Sequence, residues 1–328
     1  MGLKVRLCGV RGSLPSPYSP AFVEKRISNL FQKFFEKGHQ NADQVSDFLK
    51  SLTIAQYGGY GGNTPCVEVR SPNAQMIIDG GTGLRTIGIE LLAGPCGKGA
   101  GEAHIFMTHF HWDHLMGLPF FIPIFIPGNK IHMYAVQPEL PDLIKNVFRK
   151  PYFPVPFEAL GAQIIFHPLE PRKVTRLGDL QITPYQLDHP DPCWGYRVEH
   201  GGRVYAHCVD TECTRVSQSD LGPDLPLYQG VDLMVFDGQY TLMEAIEKMN
   251  WGHAAATLGL DIAMREGIRK IAFIHHDPAS SDEKVAMAEA QTRRYYNGQL
   301  KQARRAGPEI KLHEVEWFFA HEGLTLDV

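Results

Sequence analysis

The segment MTHFHWDHLMGLP, residues 107–119, places three histidines and one aspartate within six positions, at His109, His111, Asp113 and His114. Side chains alternate along an extended chain, so His109 and His111 are expected on one side, with Asp113 and His114 following as the chain turns. A lone histidine is usually a hydrogen-bonding core residue. Four donors this close together are instead typical of a metal site.

Three later apolar runs end in the same residue types. YQLDHP contains His189, AHCVDTE contains Asp210, and AFIHHDP contains His275 and His276. Binding sites in α/β proteins collect outside the carboxyl ends of strands, so these loops could meet the first segment in space. The donors suffice for two metal ions. Imidazole and carboxylate without thiolate favour zinc, manganese or iron over calcium and magnesium.

The elements that must position these donors are short strands with helices between them. Strand-like runs occupy residues 3–9, 66–70, 75–79, 104–109, 131–136, 163–167, 180–187, 195–199, 203–210, 232–237 and 270–275. Helical periodicity occupies residues 84–93, 138–148, 254–267 and 282–305. This interleaving predicts a layered α/β or α+β fold with the donors at strand ends.

A helical hairpin is predicted at about residues 15–57, inserted between the first two strands. Apolar residues recur at helical spacing from Phe22 to Phe35, Gly38 ends the run, and a second apolar face starts at Val45. Two interpretations stay open for its aromatic stripe. It packs on the core, or it serves as a lid or dimer surface.

Composition limits the remaining possibilities. A chain of 328 residues with 44% hydrophobic content can bury the core of one large or two small domains, and we expect one unit over residues 1–328. A net charge of −4 and a pI of about 6.4 give no basic field for nucleic acid. The most apolar run, residues 118–128, is too short and too rich in proline to span a bilayer. Six cysteines without a C-x-x-C pair indicate reduced thiols, so we expect a cytoplasmic protein and no membrane partner.

The motif HFHWDH, with the later His, Asp and His, resembles the metallo-β-lactamase-fold hydrolases. IDGGTGLR, GGNTPCVEV, HPDPCWGYRVE, VYAHCVDTE, WGHAA and FIHHDP resemble the branch of tRNase Z-like and cyclic-nucleotide phosphodiesterase-like proteins. The resemblance covers most of the chain. It implies a four-layer αββα sandwich, in which two mixed β-sheets lie face to face between helices, with a dinuclear metal site at one edge.

The resemblance also implies which residues bind each of two divalent ions. The donor types make zinc the first choice, with manganese or iron as alternatives. It assigns one ion to His109, His111 and His189, the other to Asp113, His114 and His275, and a bridging role to Asp210. His276 stays open as an alternative to its neighbour His275. Asp79 could hydrogen-bond a ligand histidine or cap a glycine turn.

Two metal ions lower the pKa of a bridging water and clamp the oxygens of an in-line displacement, which predicts a hydroxide nucleophile. The resemblance places His253, in WGHAA, opposite the substrate phosphate, where it would protonate the leaving oxygen. Alternatively His253 caps or packs the following helix. Asp113 and His253 are therefore the predicted catalytic residues.

The predicted substrate is a small phosphodiester such as a cyclic nucleotide. His189 and Asp210 are only 21 positions apart, which leaves no room for the tRNA-gripping arm of tRNase Z enzymes. The apolar segments 119–128 and 151–157 could line a base-accepting cleft, or belong to the core. Alternatives are a carboxylic-ester, lactone, thioester or β-lactam hydrolase, a tRNase Z-like ribonuclease, and a binding protein without turnover. Nucleic acid is not expected as a partner, and the resemblance allows a homodimer.

Overall fold

The first and the last described strands of the chain belong to the same β-sheet, the first of two. The computed structural model describes residues 2–307, 309 and 311–328. The sheet has seven strands, which are β1 (Lys4–Gly9), β2 (Cys66–Arg70), β3 (Gln75–Ile78), β4 (Glu102–Phe106), β5 (Lys130–Ala135), β6 (Gln163–Pro168) and β14 (Thr325–Asp327). Their order is β14-β1-β2-β3-β4-β5-β6. Strands β3 to β6 are parallel and the other pairs are antiparallel, so the sheet is mixed.

The second sheet is built in the same way. Its seven strands are β7 (Thr175–Leu177), β8 (Leu180–Gln186), β9 (Trp194–His200), β10 (Arg203–Cys208), β11 (Leu233–Asp237), β12 (Lys270–Ile274) and β13 (Glu316–Phe319). They lie in the order β13-β12-β11-β10-β9-β8-β7. Strands β10 to β13 are parallel, so their carboxyl ends lie at one edge, and β7 to β10 pair antiparallel.

Helices cover the outer faces of both sheets. They are α1 (Pro20–Glu36), α2 (Val45–Lys50), α3 (Ile54–Tyr57), α4 (Leu84–Leu91), α5 (Trp112–Leu115), α6 (Leu140–Val147), α7 (Gln218–Leu221), α8 (Leu242–Glu247), α9 (Ala256–Glu266) and α10 (Asp282–Ala306). Short 3₁₀ turns occupy Ala42–Gln44, Pro95–Lys98, Leu118–Phe120, Ile122–Phe125, Phe157–Ala159 and Gly222–Leu227. Among the described helices, none is long and apolar enough to cross a membrane.

Three apolar clusters define the layers. The central cluster joins the facing sides of the sheets, with Phe106 from the first and Val235 from the second. A second cluster packs α4 and α6 on the outside of the first sheet. A third packs α9 and α10 on the outside of the second, where Leu260 and Phe236 belong to the same core. The four-layer αββα sandwich of two mixed sheets is therefore confirmed.

The helices between β1 and β2 leave part of their apolar stripe in solvent. Helix α1 begins with Pro20 and is capped by Ser19, whose Oγ accepts from the backbone N–H of Phe22. Phe34 is buried, and its ring centroid lies 5.2 Å from that of Phe48. Several large side chains of the same helix are exposed: Val23, Ile27, Phe31 and Phe35. The stripe as a whole does not pack into the core.

Candidate metal centre

All seven predicted ligands lie where strands end. His109 and His111 follow β4, and Asp113 and His114 belong to α5. The remaining three each follow a different strand of the second sheet: His189 after β8, Asp210 after β10 and His275 after β12. We call these seven side chains the metal centre.

The seven side chains form two groups that share Asp210. One contains His109, His111, His189 and Asp210, and the other Asp113, His114, Asp210 and His275. Within each group, potential ligand atoms lie within 4.8 Å of one another, which is close enough to surround an ion. These are the groups that the resemblance implies.

Strand β4 ends earlier than predicted. The strand predicted over residues 104–109 ends at Phe106, so His109 does not lie on a strand. Strand alternation therefore does not set the directions of His109 and His111, contrary to the prediction. The loop leaves the sheet because Thr108 donates its backbone N–H to Asp79 Oδ1, at 2.9 Å. His111 then precedes α5 with extended backbone angles. The turn still brings the rings of His109 and His111 to a centroid distance of 4.5 Å.

Asp210 is the central carboxylate. Its Oδ2 lies 3.1 Å from His109 Nε2 and 2.8 Å from His114 Nε2. Its Oδ1 lies 2.9 Å from His275 Nε2. Asp113 Oδ2 approaches the same two imidazoles of the second group, at 3.4 Å from His114 Nε2 and 3.2 Å from His275 Nε2.

Several of these buried atoms have the surroundings of metal ligands. Within the described part of the chain, no aligned hydrogen bond is made by either carboxylate oxygen of Asp210, or by Nε2 of His109, His114 or His189. Unpaired buried polar atoms are rare because desolvation is costly. Nitrogen and oxygen atoms that converge without hydrogen-bond alignment fit the coordination shells of transition-metal ions. The cluster could therefore hold metal ions.

The electrostatics keep the two carboxylates of the metal centre ionised. Burial alone would raise the pKa of Asp210, but the nearby His275 and His114 outweigh burial and hold that pKa well below its usual value. The pKa of Asp113 is also lowered, since His114 and His275 again outweigh burial. Burial lowers the pKa of His109 to about 4. The carboxylates are therefore ionised and the His109 lone pair is available at neutral pH.

Buried polar groups behind the centre orient its histidines. Asp79 Oδ2 lies 2.9 Å from His114 Nδ1, so the structure places Asp79 beside a predicted ligand. His275 Nδ1 donates to Gln239 Oε1, at 2.6 Å, which leaves Nε2 facing the carboxylates. The neighbouring His276 turns away, and its Nε2 donates to the carbonyl of Ala320 at 2.8 Å. Of the two adjacent histidines, only His275 joins the centre.

His253 also lies at the centre, and it has a carboxylate partner that the sequence reasoning missed. Its Nδ1 donates to Asp237 Oδ2 at 3.0 Å, and its ring stacks on that of His275 at 4.8 Å. The prediction that the helix starts at residue 254 was wrong, because α9 starts at Ala256 with Ala255 at its N-cap. His253 therefore does not cap the helix. Together with Asp210, Asp237 and His275, it forms a further group that could hold an ion.

Asp191 and Gln239 were missed as well. His111 Nε2 donates to Asp191 Oδ2 at 2.9 Å in the loop that carries His189. Of the missed residues, only Asp237 gave a recognisable signal, because it ends a buried strand-like run as Asp79 does. Asp191 and Gln239 lie in loops whose contacts depend on the fold.

Three residues of the site have a left-handed backbone. The φ angles are +65° at Asp79, +61° at Asp210 and +64° at His275. Residues other than glycine rarely adopt this conformation, and such strain is concentrated at functional sites. It turns each side chain into the site at the point where its strand ends.

Two exposed tryptophans adjoin the centre in sequence. Trp112 stands between His111 and Asp113 and is 65% exposed, and Trp251, two residues before His253, is 64% exposed. The segment 119–128 divides between two environments, with Phe121 buried and Phe120 exposed. Phe121 therefore belongs to the core, whereas Phe120 does not.

Two mixed sheets stacked between helices are the arrangement of the metallo-β-lactamase fold, and this chain adds groups of histidine and aspartate side chains that could hold metal ions. Residues 76–276 match the family described as beta-lactamase superfamily domain, and the chain belongs to this superfamily. It is a metallo-β-lactamase-fold hydrolase.

Known proteins of several kinds are similar to this chain in sequence or in structure. The ribonuclease Z of Azobacteroides pseudotrichonymphae is 24% identical over 226 residues, which cover 57% of this chain and 74% of the relative. Unliganded yeast PDE1 superposes with a TM-score of 0.62 at 13% identity, covering 100% of this chain and 99% of the other. The short form of human tRNase Z has a TM-score of 0.58 at 15% identity and covers 99% of both chains. At sequence identities of 13% and 15%, the likeness to these two structures shows the fold alone.

Proposed function

We propose that this protein is a phosphodiesterase that cleaves a small phosphodiester, such as a cyclic nucleotide, with two divalent ions held at the metal centre. The observation that carries the proposal is the position of Asp210 between two groups of potential ligands. His109, His111 and His189 would hold one ion, and Asp113, His114 and His275 the other. Zinc is the first choice, with manganese or iron as alternatives.

When bound, the two ions supply Lewis acidity and charge stabilisation for in-line displacement at phosphorus. The protein's own contribution to proton transfer comes from His253. Because a carboxylate only accepts hydrogen bonds, Asp237 holds the His253 ring through its Nδ1–H and leaves Nε2 free to face the substrate. A proton carried on this Nε2 would be the one that His253 passes to the leaving oxygen.

The structure supports a small substrate. Most of the chain between His189 and Asp210 forms the antiparallel pair β9 and β10 of the second sheet. No span remains there for an inserted tRNA-gripping arm. The exposed indoles of Trp112 and Trp251 provide flat apolar surfaces, on which a nucleobase can stack.

A substrate panel tests this function against its alternatives. After reconstitution with zinc or manganese, the protein is assayed on cyclic nucleotides, bis-p-nitrophenyl phosphate, precursor tRNA, lactones, thioesters and nitrocefin. We expect turnover of both phosphodiesters and none of the carboxylic substrates. Because curated relatives are ribonuclease Z proteins, precursor tRNA is the essential alternative. Faster cleavage of precursor tRNA than of any cyclic nucleotide would contradict the proposal.

The first prediction concerns metal content. Seven side-chain donors in two groups should retain two ions per chain after dialysis against a weak chelator. Elemental analysis measures the ratio of metal to protein. A ratio of one or below, with activity already maximal, would contradict a dinuclear centre.

The second prediction concerns Trp251. If its indole stacks on a base, Trp251→Ala should raise KM for a cyclic nucleotide by roughly 5- to 150-fold, the equivalent of 1–3 kcal/mol for base stacking. Hydrolysis of bis-p-nitrophenyl phosphate, which has no nucleobase, should change much less. Phe35→Ala, at a similarly exposed aromatic of α1, is the matched control and should leave both substrates unaffected. An equal rise in KM for both substrates would exclude base stacking.

A further inference from the structure

The first sheet carries a second cluster of potential metal ligands. Glu102, His104 and His132 lie on β4 and β5, near the amino ends of these strands. The metal centre instead follows the carboxyl end of β4. We propose that these three residues, here named the outlying cluster, bind one borderline divalent ion such as Zn²⁺, independently of the proposed function.

Strand geometry places the three side chains together. Glu102 and His104 are two residues apart on β4, so both project from the same face of the sheet. On the neighbouring strand, His132 is the direct register partner of His104. The potential ligand atoms of all three side chains lie within 4.8 Å of one another.

His132 lies beside both other members of the cluster. The imidazole rings of His104 and His132 are stacked, with centroids 4.6 Å apart and an interplanar angle of 17°. His132 Nε2 lies 3.7 Å from Glu102 Oε2. It is buried and makes no hydrogen bond to any residue that the structure describes. A bound cation would satisfy this nitrogen and the adjacent carboxylate oxygen together.

Each histidine is held through its other nitrogen. His132 Nδ1 is 2.8 Å from His167 Nε2, and His104 Nδ1 is 3.1 Å from the hydroxyl oxygen of Tyr134. If both Nδ1 atoms donate, both Nε2 atoms carry lone pairs. Metal-binding histidines are generally oriented in this way, by a hydrogen bond from the nitrogen that does not bind the metal.

The carboxylate can serve the cluster without losing its existing ion pair. Lys130 Nζ is 3.1 Å from Glu102 Oε1, whereas Oε2 is the oxygen nearer His132. Two imidazoles and one carboxylate match the three-ligand sites that zinc completes with solvent. Stacking alone would account for the two imidazoles. It does not account for the unpaired Nε2 beside a carboxylate.

Metal titration tests the outlying cluster. Protein whose metal centre is already loaded is titrated with Zn²⁺ by calorimetry, and with Co²⁺ by visible absorption. Wild type should bind one ion beyond those of the metal centre. His132→Gln should abolish this additional binding, and His167→Gln should weaken it by roughly 10- to 100-fold, the usual effect of losing an orienting partner.

Glu102→Gln removes the charge at a half-exposed side chain and keeps its size, so it tests the cluster without threatening the fold. It should weaken the additional binding about tenfold or more and leave phosphodiester hydrolysis unchanged. Glu158→Gln, at an exposed position outside the cluster, is the matched control and should bind as wild type does. No additional ion in wild type, or equal affinity in wild type and Glu102→Gln, would overturn the proposal.

Discussion

Asp210→Asn should lower metal content and turnover together. The change removes the charge of the carboxylate that both ligand groups share and keeps the size of the side chain. Three imidazole nitrogens lie within 3.1 Å of its oxygens, so the loss affects both groups. We expect fewer than two ions per chain, and at least about a 10³-fold loss of turnover, since several kcal/mol of charge stabilisation are lost.

Asparagine is the suitable replacement at this position because of the backbone. Asp210 has a φ of +61°, and asparagine tolerates left-handed angles better than alanine does. The matched control is Asp232→Asn, a carboxylate near the amino end of β11 that pairs with Arg203 and Arg269. Elemental analysis and initial rates are measured on both variants. An Asp210→Asn protein with two ions and full activity would refute the shared-ligand role.

His253→Ala should instead retain both ions and lose roughly 10²- to 10⁴-fold in rate, the usual contribution of a general acid. The loss should depend on the leaving group. A nitrophenolate leaves without protonation, whereas the alkoxide released from a cyclic nucleotide requires a proton. The variant should therefore be impaired far more on the cyclic nucleotide than on bis-p-nitrophenyl phosphate.

Asp237→Asn supplies the comparison for this prediction. It keeps the imidazole and removes the carboxylate that accepts from His253 Nδ1, so a smaller loss with the same leaving-group dependence is expected. Equal losses of His253→Ala on both substrates would assign His253 to binding. Loss of an ion from His253→Ala would make it a ligand, within the group it forms with Asp210, Asp237 and His275.

The positions of most strands could be predicted from the sequence, and their ends less well. The runs predicted at 203–210 and 270–275 end at Cys208 and Ile274 in the structure. The polar ligands follow the apolar residues of each strand directly, so the sequence pattern does not show at which residue the backbone pairing between strands stops. The strands β7, β13 and β14, of three or four residues each, were missed because so few residues give no reliable alternation.

The candidate site was predictable to the extent that its residues stand at strand ends. The crowded motif drew attention to His109 and His114, and the same rule found His189 and Asp210. Their division into two groups came from the resemblance to a known family, because spacing along the chain does not specify which loops meet. Asp191 approaches His111 only through tertiary folding, so no local pattern indicates that contact.

At Asp79, Asp210 and His275, the backbone conformation and the chemistry of the site favour different residue types. Glycine would adopt these angles freely, whereas other residues carry a strain on the order of 1 kcal/mol at each position. Backbone energetics alone would place glycine at all three, and the chemistry requires a carboxylate or an imidazole. Directed evolution for thermostability would therefore relieve this strain only by removing side chains of the site, and gains in stability without loss of activity must come from elsewhere in the chain.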